Sequence, residues 1–96
     1  MLNLLELEQL AAFADWGTLS KVAEQLHISQ PTITRTMQHL EEEFGVPLFS
    51  RSKNKIQLNE TGKKAVEYAK SLLEDAREAV AQVQAFHKRL HTITVQ

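Results

Sequence analysis

Residues 18–47 read TLSKVAEQLHISQPTITRTMQHLEEEFGVP. Two helical patterns lie in this stretch, separated by a tight turn. Thr18 or Ser20 is placed to cap the first, whose apolar positions are Val22, Ala23 and Leu26 and which ends near His27. Ser29 is placed to cap the second, with Pro31 in its first turn, where a missing N–H is harmless. Ile33, Met37, Leu40 and Phe44 then recur at i, i+4, i+7 and i+11 as one stripe, and Gly45 followed by Pro47 stops the helix. His27 falls at the turn, where left-handed backbone is wanted; histidine tolerates it better than most residues other than glycine. Ala23 is small where the two helices would cross, and Ile33 fills the gap between them. A short helix, a tight turn and a well-capped second helix with a polar outer face form the pattern of a helix-turn-helix.

Upstream, Asn3 reads as the N-cap of another helix, with Glu6 placed to return the bond and Leu2 and Leu7 placed as a hydrophobic staple. Leu7, Leu10, Ala11 and Ala14 give it a buried face, and Gly17 ends it. Phe13 and Trp16, near its end, read as core or as a packing site for the last helix. Downstream, Leu48-Phe49 and Ile56-Gln57-Leu58 are strand-like around a polar turn, Ser52-Lys53-Asn54-Lys55, which predicts a two-stranded hairpin leaning on the helices.

Asn59 is placed to cap a long fourth helix to about Leu90. Written as heptads, Val66, Leu73, Val80 and His87 occupy a, and Ala69, Ala76, Val83 and Leu90 occupy d, a coiled-coil seam too long for the head to cover. The stripe therefore demands a partner. From His91 to Gln96 the pattern switches to period two, a strand with nothing left to pair, which suggests the start of a further domain. The expected fold is mainly α: a winged helix-turn-helix of three helices plus a two-stranded wing over 1–59, a linker or dimerisation helix over 60–90, and the beginning of another domain over 91–96.

Composition narrows the function. The chain has 96 residues, 43% of them hydrophobic, and no cysteine, so disulfides and thiolate metal sites are excluded. No run approaches the ~18 consecutive apolar residues of a membrane span, and no basic segment followed by an apolar run marks a signal peptide, so no membrane partner and a cytoplasmic location are expected. The net charge of −1 counts against nucleic acid as a partner. Its distribution does not. Acids cluster at Glu6, Glu8 and Asp15 and at Glu41, Glu42 and Glu43, whereas Ser29–Leu40 contains only Arg35, and Phe44–Asn59 contains Arg51, Lys53 and Lys55 and no acid.

With Ile33 turned to the core, Pro31, Arg35 and Gln38 fall on the opposite side of the third helix, flanked by Thr32, Thr34 and His39. Such short polar side chains suit a helix lying close in a major groove: arginine prefers guanine O6 and N7, glutamine prefers adenine, and a threonine methyl can meet that of thymine. Arg51, Lys53 and Lys55 around the hairpin tip would meet phosphates beside the groove. The blander readings are a solvated helix face and a solvated basic turn, with Arg51 paired to one of Glu41–Glu43.

The runs Leu26-His27-Ile28-Ser29-Gln30-Pro31-Thr32-Ile33-Thr34-Arg35, Leu40-Glu41-Glu42-Glu43-Phe44-Gly45-Val46-Pro47-Leu48-Phe49-Ser50-Arg51 and Leu58-Asn59-Glu60-Thr61-Gly62 resemble the N-terminal domain of the bacterial LysR-type transcriptional regulators. The resemblance covers essentially the whole chain. It implies a winged helix-turn-helix, sequence-specific binding of double-stranded DNA at a pseudo-palindromic operator, and a homodimer through antiparallel linker helices. It also implies an effector-binding domain after this segment, with a tetramer open to the full-length protein. It implies base or phosphate contacts from Gln30, Pro31, Thr32, Thr34 and Arg35, and wing contacts near Arg51 and Lys53. Val22 replaces the first alanine of the usual pair in helix two, and Asn59 stands where threonine is usual.

The DNA-binding set expected is therefore Ser29, Gln30, Pro31, Thr32, Thr34, Arg35, Gln38, Arg51, Lys53 and Lys55. The dimer interface expected is Val66, Ala69, Leu73, Ala76, Val80, Val83 and Leu90. His87 and His91, at i and i+4, offer two metal ligands without a third; His87 reads better as a polar break fixing register. His27 and His39 read as isolated, and Glu41–Glu43 as a solvated helix end. No enzyme site, metal or cofactor is expected. The alternative is a winged-helix protein-interaction module, which would show apolar anchors on the third helix, and Pro31, Arg35 and Gln38 are not that.

Overall fold

The computed structural model describes residues 1–93. Its elements run α1 (Leu4–Trp16), α2 (Leu19–Leu26), α3 (Gln30–Phe44), β1 (Phe49–Ser52), β2 (Lys55–Leu58) and α4 (Glu60–Ile93). Each boundary has a local cause. The Asn3 side chain accepts from the N–H groups of Leu5 and Glu6 at 2.8 and 3.4 Å, satisfying two of α1's orphan donors. Gly17, at φ 86°, ends α1 by donating to the Phe13 carbonyl. Thr18, not Ser20, caps α2, accepting from Lys21 N at 3.1 Å. His27 takes the left-handed conformation at φ 56°, as its place in the turn predicts, and Ser29 caps α3 behind Pro31. Asn59 accepts from Gly62 N at 2.7 Å and starts α4.

The core lies where the three head helices meet the wing base and the start of α4. Leu7, Leu10 and Phe13 of α1 pack with Val22 of α2 and with Ile33, Met37 and Leu40 of α3. Leu48 and Phe49 close it from the wing, and the Phe49 ring meets Phe13 edge-on with centroids 5.6 Å apart. Two expected core positions lie outside it: Ala14 and Leu26 are exposed, because α1 turns Phe13 inward instead and α2 buries only Val22 fully. Phe13 is core, whereas Trp16 remains exposed beside α4.

The wing is an antiparallel pair with Phe49 opposite Leu58 and Ser52 opposite Lys55. The hairpin is tighter than the sequence suggests. Ser52 and Lys55 belong to the strands, and the turn is Lys53-Asn54 alone, both at positive φ (49° and 65°), the hand that matches strand twist.

Helix α4 departs furthest from expectation. It continues to Ile93, so His91–Ile93 are helical and not strand; residues 94–96 of the expected strand lie outside the described residues. The seam also divides. Val66, Ala69 and Leu73, expected against a partner, are buried within the chain against the head, and Lys70 ties to Asp15 of α1 at 2.9 Å. Ala76 is half-buried, and from Arg77 through Thr92 every residue is exposed, including Val80, Val83, Phe86 and Leu90. The described molecule is 67 Å long because this arm leaves the head.

Candidate nucleic-acid interface

Helix α3 buries Ile33, Thr36, Met37 and Leu40, and its period then turns Gln30, Pro31, Arg35 and Gln38 outward, with Thr32 and Thr34 half-buried at the edges. At the N-terminal end the polar side chains are linked. Ser29 Oγ and Thr32 Oγ1 share a hydrogen bond of 2.8 Å, and Arg35 Nη2 donates to Thr32 Oγ1 at 3.3 Å. This chain of hydroxyls draws the guanidinium along the outer face toward the start of the helix. It reduces the side-chain freedom that Arg35 would lose on meeting a ligand.

The wing stands beside this face. One shallow groove is lined by Thr34 of α3, Leu19 of α2 and wing residues Arg51 to Ile56. A second is lined by Gly17–Ser20, Gln30 and Asn54–Gln57. The structure thus brings Gln30 and Thr34 together with Arg51, Lys53 and Lys55, while Gln38 lies elsewhere, over a depression it shares with Glu41, Glu42 and Gly45–Pro47. Thr18, Leu19, Ser20, Asn54 and Gln57 line the grooves without having been expected there. The Gly17-Thr18 boundary was visible in the sequence, but which surface the start of α2 would face was not.

Charge on this face is uncompensated. Among the described residues no ion pair involves Arg35, Arg51, Lys53 or Lys55. Three of the head's acids are engaged away from this face. Glu43 meets the N-terminal ammonium at 3.1 Å, Glu6 meets His39 Nδ1 at 2.7 Å, and Asp15 meets Lys70. Neither His39 nor the Glu41–Glu43 run fits its expected reading. His39 joins α3 to α1 through Glu6, with Nε2 3.6 Å from Glu43 Oε1. Its hydrogen bond to Glu6, then the charges of Glu6, Glu43 and Glu42, hold it above its ordinary value of 6.5. Glu6 is thereby occupied with His39. Glu41 accepts from the backbone N–H groups of Leu48 and Phe49 at the foot of the wing, so Arg51 has no partner in that run.

Residues 4–63 match the family described as bacterial regulatory helix-turn-helix protein, lysR family. The chain belongs to the LysR family. The HTH-type transcriptional activator CmpR of a Synechocystis species is 36% identical over 98 residues, covering 96% of this chain and 32% of CmpR. The hydrogen peroxide-inducible genes activator of Pectobacterium carotovorum is 33% identical over 79% of this chain and 25% of its own length. This LysR-family chain therefore spans about a third or less of the length of these relatives. Among solved structures, the CbnR_DBD–DNA complex superposes with a TM-score of 0.84 at 36% identity, covering 90% of this chain and 99% of that one. The BenM_DBD complex with catB site 1 DNA gives 0.81 at 28% identity, over 90% and 97%. The winged helix-turn-helix seen here is thus the fold of LysR DNA-binding domains.

Proposed function

We propose that this LysR-family chain reads double-stranded DNA as a homodimer and serves as the DNA-binding part of a bacterial transcriptional regulator, not as an enzyme. Helix α3 enters the major groove with Gln30, Pro31, Thr32, Thr34 and Arg35 at the base edges, Ser29 at its start and Gln38 at the groove's margin. The wing sets Arg51, Lys53 and Lys55 against phosphates. The observation that carries this reading is that Arg51, Lys53 and Lys55 line the groove between α3 and the wing without an ion-pair partner among the described residues, with Arg35 likewise free of ion pairs on the outer face of α3, on a chain whose net charge is negative. The solved complexes of relatives with DNA support it.

Val80, Val83 and Leu90 form the seam between two copies, with Ala76 at its head end, and the linker helices set the spacing of two heads on a two-fold site. Val66, Ala69 and Leu73 serve the head instead. The chain spans about a third or less of these relatives' length, and within this reading the whole protein adds the effector-binding domain and higher assembly that the LysR resemblance implies, with the cytoplasm as the natural setting. No described helix is long and apolar enough to cross a membrane.

The deciding experiment selects duplexes from a random pool and titrates binding against salt. With three or four phosphate partners per head, a dimer gives a log–log slope of about −5 to −7 and prefers a palindromic site. Binding that ignores salt, or that treats random duplex equally, rejects the reading.

A further inference from the structure

Among the described residues, the side-chain hydrogen bonds that join α3 to the foot of the wing end on one carboxylate. Glu41 Oε2 accepts from Leu48 N at 2.8 Å and from Phe49 N at 3.2 Å, in a partly buried setting. The same short segment is held from the other side by the start of α4. Asn59 N donates to the Leu48 carbonyl at 2.9 Å, and Asn59 Nδ2 donates to the Pro47 carbonyl at 3.2 Å. Residues 47–49 are thus clamped between α3 and α4, and the hairpin projects from that clamp.

The hairpin has little else to orient it. Only Phe49 is fully within the core, Ile56 and Leu58 are half-buried, and the rest of both strands is exposed. Two strands alone are marginal. Lys53 lies four residues beyond Phe49, about 13 Å along an extended chain, so a tilt of about 10° at the foot moves the tip by about 2 Å. That displacement is enough to break a direct contact with a phosphate oxygen.

We propose that Glu41 is a positioning residue for DNA binding. By holding the N–H groups of Leu48 and Phe49 it sets the angle of the wing against α3. It thereby decides whether Arg51, Lys53 and Lys55 reach phosphates while α3 is seated in the groove. Glu41 touches no DNA in this scheme. The inference rests on the DNA-binding reading above.

The test is a double-mutant cycle on the chain as it stands, using the selected duplex. In the wild type, Lys53→Ala costs several-fold in affinity. In Glu41→Ala it costs less than about twofold, because the lysine is already displaced. The salt slope of Glu41→Ala is shallower by at least about 2, one or more phosphates lost from each head, while the base discrimination lost on Arg35→Ala is the same in both backgrounds. Glu41→Gln, which keeps an acceptor oxygen, restores the wild-type slope and the Lys53 effect. If Glu41→Ala does not fold, Glu41→Asp decides: it keeps the charge, shortens the reach and reproduces the uncoupling. A Glu41→Ala or Glu41→Asp chain that binds more weakly but retains the full slope and the full Lys53 effect overturns the proposal and leaves the DNA-binding reading intact. A wild type in which Lys53→Ala changes nothing overturns the proposal, while the DNA-binding reading is overturned only by binding that ignores salt or treats random duplex equally.

Discussion

At Gly62 the backbone of α4 comes so close to the Leu48 carbonyl that a Cβ there would overlap its oxygen and press on the Leu58 side chain. An alanine in a helix is ordinarily better than glycine by up to about 1 kcal/mol. Here the obstacle is backbone, already bonded to Asn59 N, and it cannot swing away as a side-chain tip would. Gly62→Ala is therefore expected to destabilise by about 1–3 kcal/mol, a fall of several degrees in thermal midpoint; a midpoint that holds or rises would show that α4 shifts freely on the head. His39 makes a second prediction at this scale. Because Glu6 raises its folded value above 6.5, the His39 link contributes fully below that pH and is lost as pH rises through the raised value. The midpoint difference between wild type and His39→Gln is expected to be largest below pH 6.5 and to shrink as pH rises above it; a difference independent of pH would mean the imidazole acts by packing alone. The caps at Asn3, Thr18, Ser29 and Asn59 could be read from sequence because donor and acceptor lie within three residues. Glu6 and His39 are 33 residues apart and Glu41 and Leu48 lie across a turn, so no local pattern announces either pair.

At the scale of elements, helix α3 and the wing face one groove but differ in what they can report about a duplex. A guanidinium held by Thr32 can discriminate a base, whereas a lysine at a turn tip sees a phosphate that every sequence shares. Arg35→Ala is expected to cost about 1–3 kcal/mol on the selected duplex and to relax one base position, while Lys53→Ala weakens selected and random duplexes alike; affinities for the two pools separate these outcomes, and equal losses from Arg35→Ala would remove it from the reading face. The order of elements was legible because each helix has its own period and its own stops. The wing was legible only approximately. Ser52, Lys53, Asn54 and Lys55 are all polar, and no glycine marks the two residues that take positive φ. The end of α4 misled for a different reason. Thr92 and Ile93 are β-branched and open a run that alternates like a strand, but extending an existing helix fixes one residue per added bond and needs no new nucleus. Thr92 meanwhile returns its hydroxyl to the Lys88 carbonyl, as threonine does inside helices.

The whole molecule is a head with an arm, and the apolar stripe of α4 is buried at its start and exposed further along. A heptad pattern treats all its positions alike. The head, however, takes Val66, Ala69 and Leu73 into its own core, where they are buried with the α1 residues. What remains exposed, and in the proposed dimer would face a second copy, is Val80, Val83, Phe86 and Leu90, of which Phe86 falls outside the strict a and d positions. From Ala79 to Ile93 this arm carries Lys88 and Arg89 and no acid. A charge in the middle of the stripe should then separate the copies without touching the head. Val83→Glu is expected to leave the head folded, with near wild-type helix content, and to yield a monomer by sedimentation. Affinity for a two-fold site should fall by about 10²–10⁴, to that of a single half-site, because the second head no longer binds at the effective concentration the arm provides. Leu73→Glu makes the contrast: it strikes the head core and should unfold the chain before it dissociates it. A Val83→Glu chain that stays dimeric would move the interface off the distal arm altogether, to the α1 surface where Trp16 is exposed.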